Sequence, residues 1–190
     1  MEDENIPTLS QAKINILRVL WEADKPLTLK EISAGTGVKP RSANMHLLNL
    51  RMMGYVETPR RGFYALTDEG KAALGLPRVD GEGARRILGE VPPEKAFHFY
   101  LKIGSPLGLS ARSLTQFCEM VKTINIKSIE FHTARGDFEL WIHFLGDVEL
   151  AKRIRLLREK GLSGEELRGK LYKIIKSRCE ELRRIVQKGT

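Results

Sequence analysis

The chain has 190 residues, 42% apolar and 29% charged, enough apolar matter for a core and too much for wholesale disorder. No apolar run approaches the roughly 20 residues that a membrane-spanning helix needs, and the acidic start Met1-Glu2-Asp3-Glu4-Asn5 has the wrong order for a secretory signal, so a cytoplasmic protein without a membrane partner is expected. Cys118 and Cys179 are too few and too far apart in sequence to suggest a disulfide framework or a zinc finger.

The formal net charge of +8 is unevenly distributed. Residues 25–61 hold seven Lys/Arg against two Asp/Glu, and residues 151–190 hold thirteen against five, while the stretch 76–150 is close to balanced. Two basic regions result, one early and one at the end, and clustered basic charge is the electrostatic footprint of a polyanion partner.

Residues 1–9 read as an acidic tail. Ser10 is placed to cap a helix reaching about Ala23, with Ile14, Leu17, Leu20 and Trp21 inward. Asp24-Lys25-Pro26 breaks it. Thr28 and Glu31 have the spacing of a capping box, and the short helix they start ends at Gly35-Thr36-Gly37. The next helix, from Lys39 to Gly54, has Pro40 in its first turn and Gly54 at its left-handed stop. Ala43, Leu47, Leu50 and Met53 share its apolar face, and the other face carries Arg41, Ser42, Asn44, Met45, His46 and Asn49. Tyr55–Thr58 and Phe63–Leu66 flank the turn Pro59-Arg60-Arg61-Gly62 and read as a hairpin. Thr67-Asp68-Glu69-Gly70 opens a further helix.

Gly75–Pro93, rich in Gly and Pro, reads as a linker with a short helix at 83–89. Beyond it, Ala96–Leu101 suggests a short strand and Gly104–Gly108 a turn. Ser110 is placed to cap a helix to Thr123, with Leu114, Phe117, Cys118 and Val121 inward. Short helical pieces follow from Ser128 and from Gly136-Asp137, where Asp137 is the expected N-cap and Trp141 a core residue. Ser163 and Glu166 have capping-box spacing ahead of a final helix with Leu167, Leu171, Ile174, Ile175, Leu182 and Ile185 inward.

Helix, helix, turn, helix, hairpin, helix is the order of a winged helix-turn-helix domain. The segments E-I-S-A-G-T-G-V-K-P-R-S-A-N-M-H-L-L-N-L-R-M-M-G-Y-V and F-Y-A-L-T-D-E-G-K-A-A-L resemble that family over about the first 75 residues. The resemblance implies that helix 40–53 is the recognition helix and the hairpin the wing. The departure is Leu48 and Met52, apolar where base-reading groups would stand, and both read as packing residues. In the second half, S-I-E-F-H-T-A-R-G-D-F-E-L-W-I-H-F-L-G-D-V-E-L-A-K-R-I resembles a helical domain of unassigned function found in archaeal proteins; that favours an archaeal source and implies no chemistry.

The expected DNA contacts follow. An α-helix fits the major groove, where Arg, Asn and Ser bond to base edges. Arg41, Ser42, Asn44, Met45 and His46 lie in the first turns of the helix. Lys30 and Lys39, with Lys25, sit where phosphates would be gripped, and Arg60 and Arg61 mark the hairpin tip. The competing reading is a winged helix that binds protein or RNA with a solvated polar face.

His98, His132 and His143, with Cys118, Glu130 and Asp137, match no zinc spacing, and satisfied, partly buried histidines are expected over a metal site. Arg135, Asp137 and Glu139 form at most a small polar group near Trp141. There is no phosphate-binding glycine loop and no nucleophile elbow, so neither an enzyme nor a cofactor is expected. The basic final helices, with Lys152, Arg153, Arg155, Arg158, Lys170, Lys173, Lys176 and Arg178, have two readings. One is an extension of the DNA contact or an RNA contact; the other, which is favoured, is a charge-rich solvated face partly neutralised by Glu165, Glu166, Glu180 and Glu181.

The fold class expected is α+β, predominantly α. It divides into a winged-helix domain over 1–75, a linker over 76–93 and a helical domain over 94–190. The function expected is a sequence-specific transcription regulator on double-stranded DNA. A homodimer pairing through helices in 148–187 and an unidentified small-molecule effector are its expected partners. The alternative is a protein- or RNA-binding adaptor.

Overall fold

The computed structural model describes residues 9–188 and divides into two units, the first ending at Arg78 and the second beginning at Val79. The acidic tail lies almost wholly outside the described residues. The architecture is α+β and mostly helical, a helix-turn-helix unit followed by a largely helical one.

In the first unit, α1 (Gln11–Ala23) turns Ile16, Leu17, Leu20 and Trp21 inward, with Ile16 taking the place expected for Ile14. β1 (Leu27–Thr28) is a two-residue strand that the sequence reading missed, because Thr28 also caps the helix after it. That helix, α2 (Leu29–Thr36), starts with the expected capping box: Glu31 N–H donates to Thr28 Oγ1 at 3.3 Å, and Thr28 N–H donates to the Glu31 carboxylate at 2.7 Å. The carboxyl of Glu31 is held below its ordinary range by these Thr28 contacts. α3 (Pro40–Met52) buries Ala43, Leu47 and Leu50. It ends in a Schellman arrangement, with Tyr55 N–H on Leu50 C=O at 2.9 Å and Gly54 N–H on Arg51 C=O at 3.0 Å. Gly54 has φ +75°, so the turn needs a residue without a side chain.

β2 (Val56–Arg60) and β3 (Phe63–Leu66) form the expected hairpin, and β1 adds to the other edge of β3, giving the order β1-β3-β2. β2 runs on through Arg60, so the tip is Arg61-Gly62 and not the four residues expected. The register shifts between Glu57 and Arg60, where Pro59 has no N–H to give to the ladder; an edge strand tolerates this. α4 (Asp68–Ala73) is capped by Thr67, whose Oγ1 accepts from Gly70 N–H at 3.1 Å and donates to Gly54 C=O at 2.6 Å. The core of this unit joins α1, α2, α3 and the sheet through Ile16, Leu17, Leu20, Leu27, Ile32, Leu47, Leu50 and Val56.

The stretch expected as a linker holds α5 (Gly81–Leu88), capped by Asp80 and burying Ala84 and Ile87 in the second unit's core. β4 (Phe97–Lys102) pairs with β5 (Ser105–Ala111) around Ile103-Gly104. Ser110 therefore lies in a strand and caps nothing; Ser113 caps α6 (Leu114–Thr123). Pairing with His98 of β4 holds Ser110 in the strand, so the helix starts three residues later. α7 (Ile126–Arg135) starts from Asn125, ahead of the expected Ser128. α8 (Asp137–Phe144), α9 (Val148–Glu159, capped by Asp147) and α10 (Gly164–Lys188) complete the unit. The first turn of α10 is held from outside, as Gly164 N–H donates to Glu130 at 2.8 Å.

α10 spans the core, burying Leu167, Leu171, Ile175, Cys179 and Leu182 against α5, α6 and α9. The apolar faces of α9 and α10 are thus spent inside the unit, and their outward faces carry charge. Within this core Cys118 and Cys179, distant in sequence, meet thiol to thiol as free cysteines; the shared hydrogen bond and burial push Cys179 up.

Candidate nucleic-acid interface

α2, the turn and α3 set the first group of cations. Gly37, at φ +70°, makes the left-handed turn, and the hydroxyls of Ser33 and Thr36 tie it down: Ser33 donates to Val38 C=O, and Thr36 accepts from Val38 N–H at 3.3 Å. An open hollow of about 700 Å³ lies over this turn, lined by Lys30, Ser33, Gly37, Lys39 and Pro40. The structure brings Lys30 and Lys39 together on its rim, both exposed, beside the first turn of α3. Free backbone N–H groups and the positive end of the helix dipole make that position favourable for a phosphate.

On α3, Arg41, Ser42, Met45 and Asn49 are exposed as expected, while Asn44 and His46 are half-buried on its flanks. Arg60 and Arg61 are exposed on the hairpin, and the Arg60 guanidinium lies 3.6 Å over the Phe63 ring. Stacking fixes the orientation of that cation without neutralising it. Leu48 and Met52 depart from expectation. They are not core residues of this unit: Leu48 is 43% exposed and Met52 85%, and Met45 beside them is 57% exposed. The spacing 41, 45, 48, 52 already placed them in one row with Arg41. Arg51, also exposed, adds a cation at the far end of the helix.

The arginines of the two units differ in how they are paired. Among the described residues, Lys30, Lys39, Arg41, Arg51, Arg60 and Arg61 have no carboxylate within ion-pair distance. The arginines of α9 and α10 are largely answered: Arg153 by Glu149, Arg155 by Glu159, Arg158 by Glu139 and Arg168 by Glu165. Arg178, 4% exposed, is bonded to Asp147 at 2.8 Å and to Glu149 and Glu181 at 3.1 and 2.7 Å. Burial alone would lower its pKa, and the three carboxylates overcome that and raise it. Part of the terminal basic region, around Arg178, is therefore a structural ion network, while the early region is left open.

The second unit holds a histidine that is satisfied, not free. His132, 4% exposed, accepts Tyr100 N–H on Nε2 at 2.9 Å. That fixes the proton on Nδ1, which donates to Asp137 at 2.8 Å, and Arg135 Nε donates to the same carboxylate oxygen at 3.0 Å. Burial among Phe97, Phe99, Phe131 and Phe138 lowers its pKa, and Asp137 only partly opposes this. With both ring nitrogens engaged, it has no lone pair to offer a metal or a substrate proton. Asp137, expected to cap α8, is instead its first residue and serves His132 and Arg135. Trp141 is core as expected, its Nε1–H donating to Lys95 C=O at 3.0 Å. His98 and His143 are exposed, not partly buried as expected: His98 lines a hollow shared with His132, Arg135 and Asp137, and His143 one beside Trp141. No group of three potential metal ligands converges among the described residues.

No helix among the described residues is long and apolar enough to cross a membrane. Comparison with known proteins agrees with the division into two units. Residues 14–60 match the IclR helix-turn-helix domain, which supports a DNA-binding transcription regulator. No curated protein and no solved structure matches the chain. Residues 82–176, half of the sequence, match the model described as Family of unknown function (DUF5752), and the chain belongs to that family.

Proposed function

We propose that this protein is a sequence-specific transcription regulator that lays α3 in the major groove of double-stranded DNA, with the β2–β3 hairpin as a basic wing. The observation that carries the reading is the set of cations left without carboxylate partners on α2, α3 and the hairpin, in the unit that matches a helix-turn-helix domain. Lys30 and Lys39 grip phosphates beside the α3 N-terminus. Arg41, Ser42, Met45 and Asn49 face the base edges, Asn44 and His46 reach the groove walls, and Arg60 and Arg61 hold the backbone or an adjacent minor groove. The protein acts in the cytoplasm without catalysis. It pairs with a second copy so that two half-sites multiply a modest single-helix specificity. The second unit supplies that pairing or responds to a small molecule. Selection of genomic fragments on the full-length protein tests this: one enriched sequence is expected, whereas indifferent capture of all fragments points to an architectural or RNA-binding role.

A further inference from the structure

The solvent face of α3 is not uniformly polar. Met45, Leu48 and Met52 follow Arg41 at spacings of four, three and four, so they form one row along the helix. All three are exposed while Leu47 and Leu50 of the same helix are fully buried in the core, which marks the row as a contact surface and not as packing. At 1.5 Å rise per residue the row from Met45 to Met52 runs about 10 Å, close to the roughly 12 Å width of a major groove. It is one side chain wide and is bordered by Ser42 and Asn49, both exposed hydrogen-bonding groups. Its ends carry Arg41 and Arg51, neither with a carboxylate partner among the described residues. A narrow apolar row capped by open cations complements a polyanion with methyl groups on its floor better than it complements a flat protein surface.

We infer that Met45 and Leu48 read thymine methyl groups, so the operator is A·T-rich where α3 lies. This rests on the DNA reading above. In the major groove thymine offers a C5-methyl, and the adenine paired to it offers an acceptor and a donor that an Asn amide can bond together. An apolar row flanked by Asn49 matches that pair of signals. The flexible thioether of Met45 adapts to the methyl position, and Met52 covers the groove edge.

Deoxyuridine differs from thymidine only by the missing methyl, which makes the test direct. Duplexes enriched from a random pool by the full-length protein are resynthesised with deoxyuridine for thymidine, and affinities are measured for the native chain and for Met45→Ala and Leu48→Ala. The native chain is expected to bind about fourfold more weakly for each methyl it touches and the duplex then lacks. Each variant is expected to show a smaller thymidine preference while keeping the same salt dependence. Tight binding with no difference between the two duplexes overturns the methyl readout and leaves the DNA reading standing. Failure to bind any duplex overturns both. Loss of a dimer in Met45→Ala or Leu48→Ala by light scattering, with DNA affinity unchanged, assigns the row to a second copy and overturns the inference as well.

Discussion

The carbonyl oxygen of Tyr55 lies 2.2 Å from the point where a β-carbon on Gly70 would stand. Together with Thr67, whose amide donates to that same carbonyl at 3.1 Å, this close approach clamps the start of α4 onto the turn that leaves α3. It explains why the Gly-Tyr-Val and Leu-Thr-Asp-Glu-Gly segments occur as a pair. A glycine at position 70 is the condition for holding α3, the hairpin and α4 in one rigid piece. Gly70→Ala is expected to destabilise the first unit by about 3 kcal/mol, the upper end of what overpacking costs, because the obstructing atom is backbone. Thermal unfolding followed by Trp21 fluorescence in a Trp141→Phe background measures it, and an unchanged midpoint would mean the backbone yields.

Removing Arg178 leaves Asp147 buried without its cation and Glu149 with Arg153 alone. Arg178→Met is expected to cost about 3–5 kcal/mol in the second unit. The charge-conserving combination with Asp147→Asn is expected to cost clearly less, since it removes the stranded carboxylate, leaves Glu149 with Arg153, and Asn still caps α9. Urea titrations read on Trp141 in a Trp21→Phe background compare the two.

His132 sets a pH dependence. Its folded pKa lies below the ordinary 6.5 because of burial. Below that ordinary value the unfolded chain therefore binds a proton that the folded chain refuses. Stability is unaffected by this group at higher pH and falls as pH drops through about 6.5 towards the lower folded value. His132→Gln is expected to start from a lower stability and show a flatter decline between about pH 7 and pH 5. Equal slopes in the two chains would contradict the assignment.

Much of the first unit was legible in the sequence because its signals are local: the Thr28–Glu31 box, Pro40 at a helix start and Gly54 at a left-handed stop. The strand β1 was not, since two residues carry no periodicity and become a strand only by pairing with β3. In the second unit the helices were legible and their starts less so. Ser110 and Ser128 look like caps, but β-pairing claims one and the interior of α7 the other. The candidate site was legible in its charges and misjudged in its apolar row. Periodicity placed Leu48 and Met52 together but not inside, and burial is decided by which surfaces the rest of the unit covers. The hydrogen bonds of His132 to Tyr100 and of Arg178 to Asp147 join residues far apart in the chain, which no local pattern reveals.

Arg41 and Arg60 stand for the two elements proposed to lie on DNA, and charge reversal at both is expected to act on affinity and not on folding, because both are exposed. The most direct test is a fluorescence titration of the full-length native chain and of the Arg41→Glu, Arg60→Glu double variant against the same duplex at several salt concentrations. The native chain is expected to bind with an affinity that falls steeply as salt rises. The double variant is expected to bind far more weakly, with the salt slope reduced by about one for each phosphate that is no longer gripped. Undiminished affinity with an unchanged slope would contradict the claim that α3 and the hairpin are the DNA-binding surface.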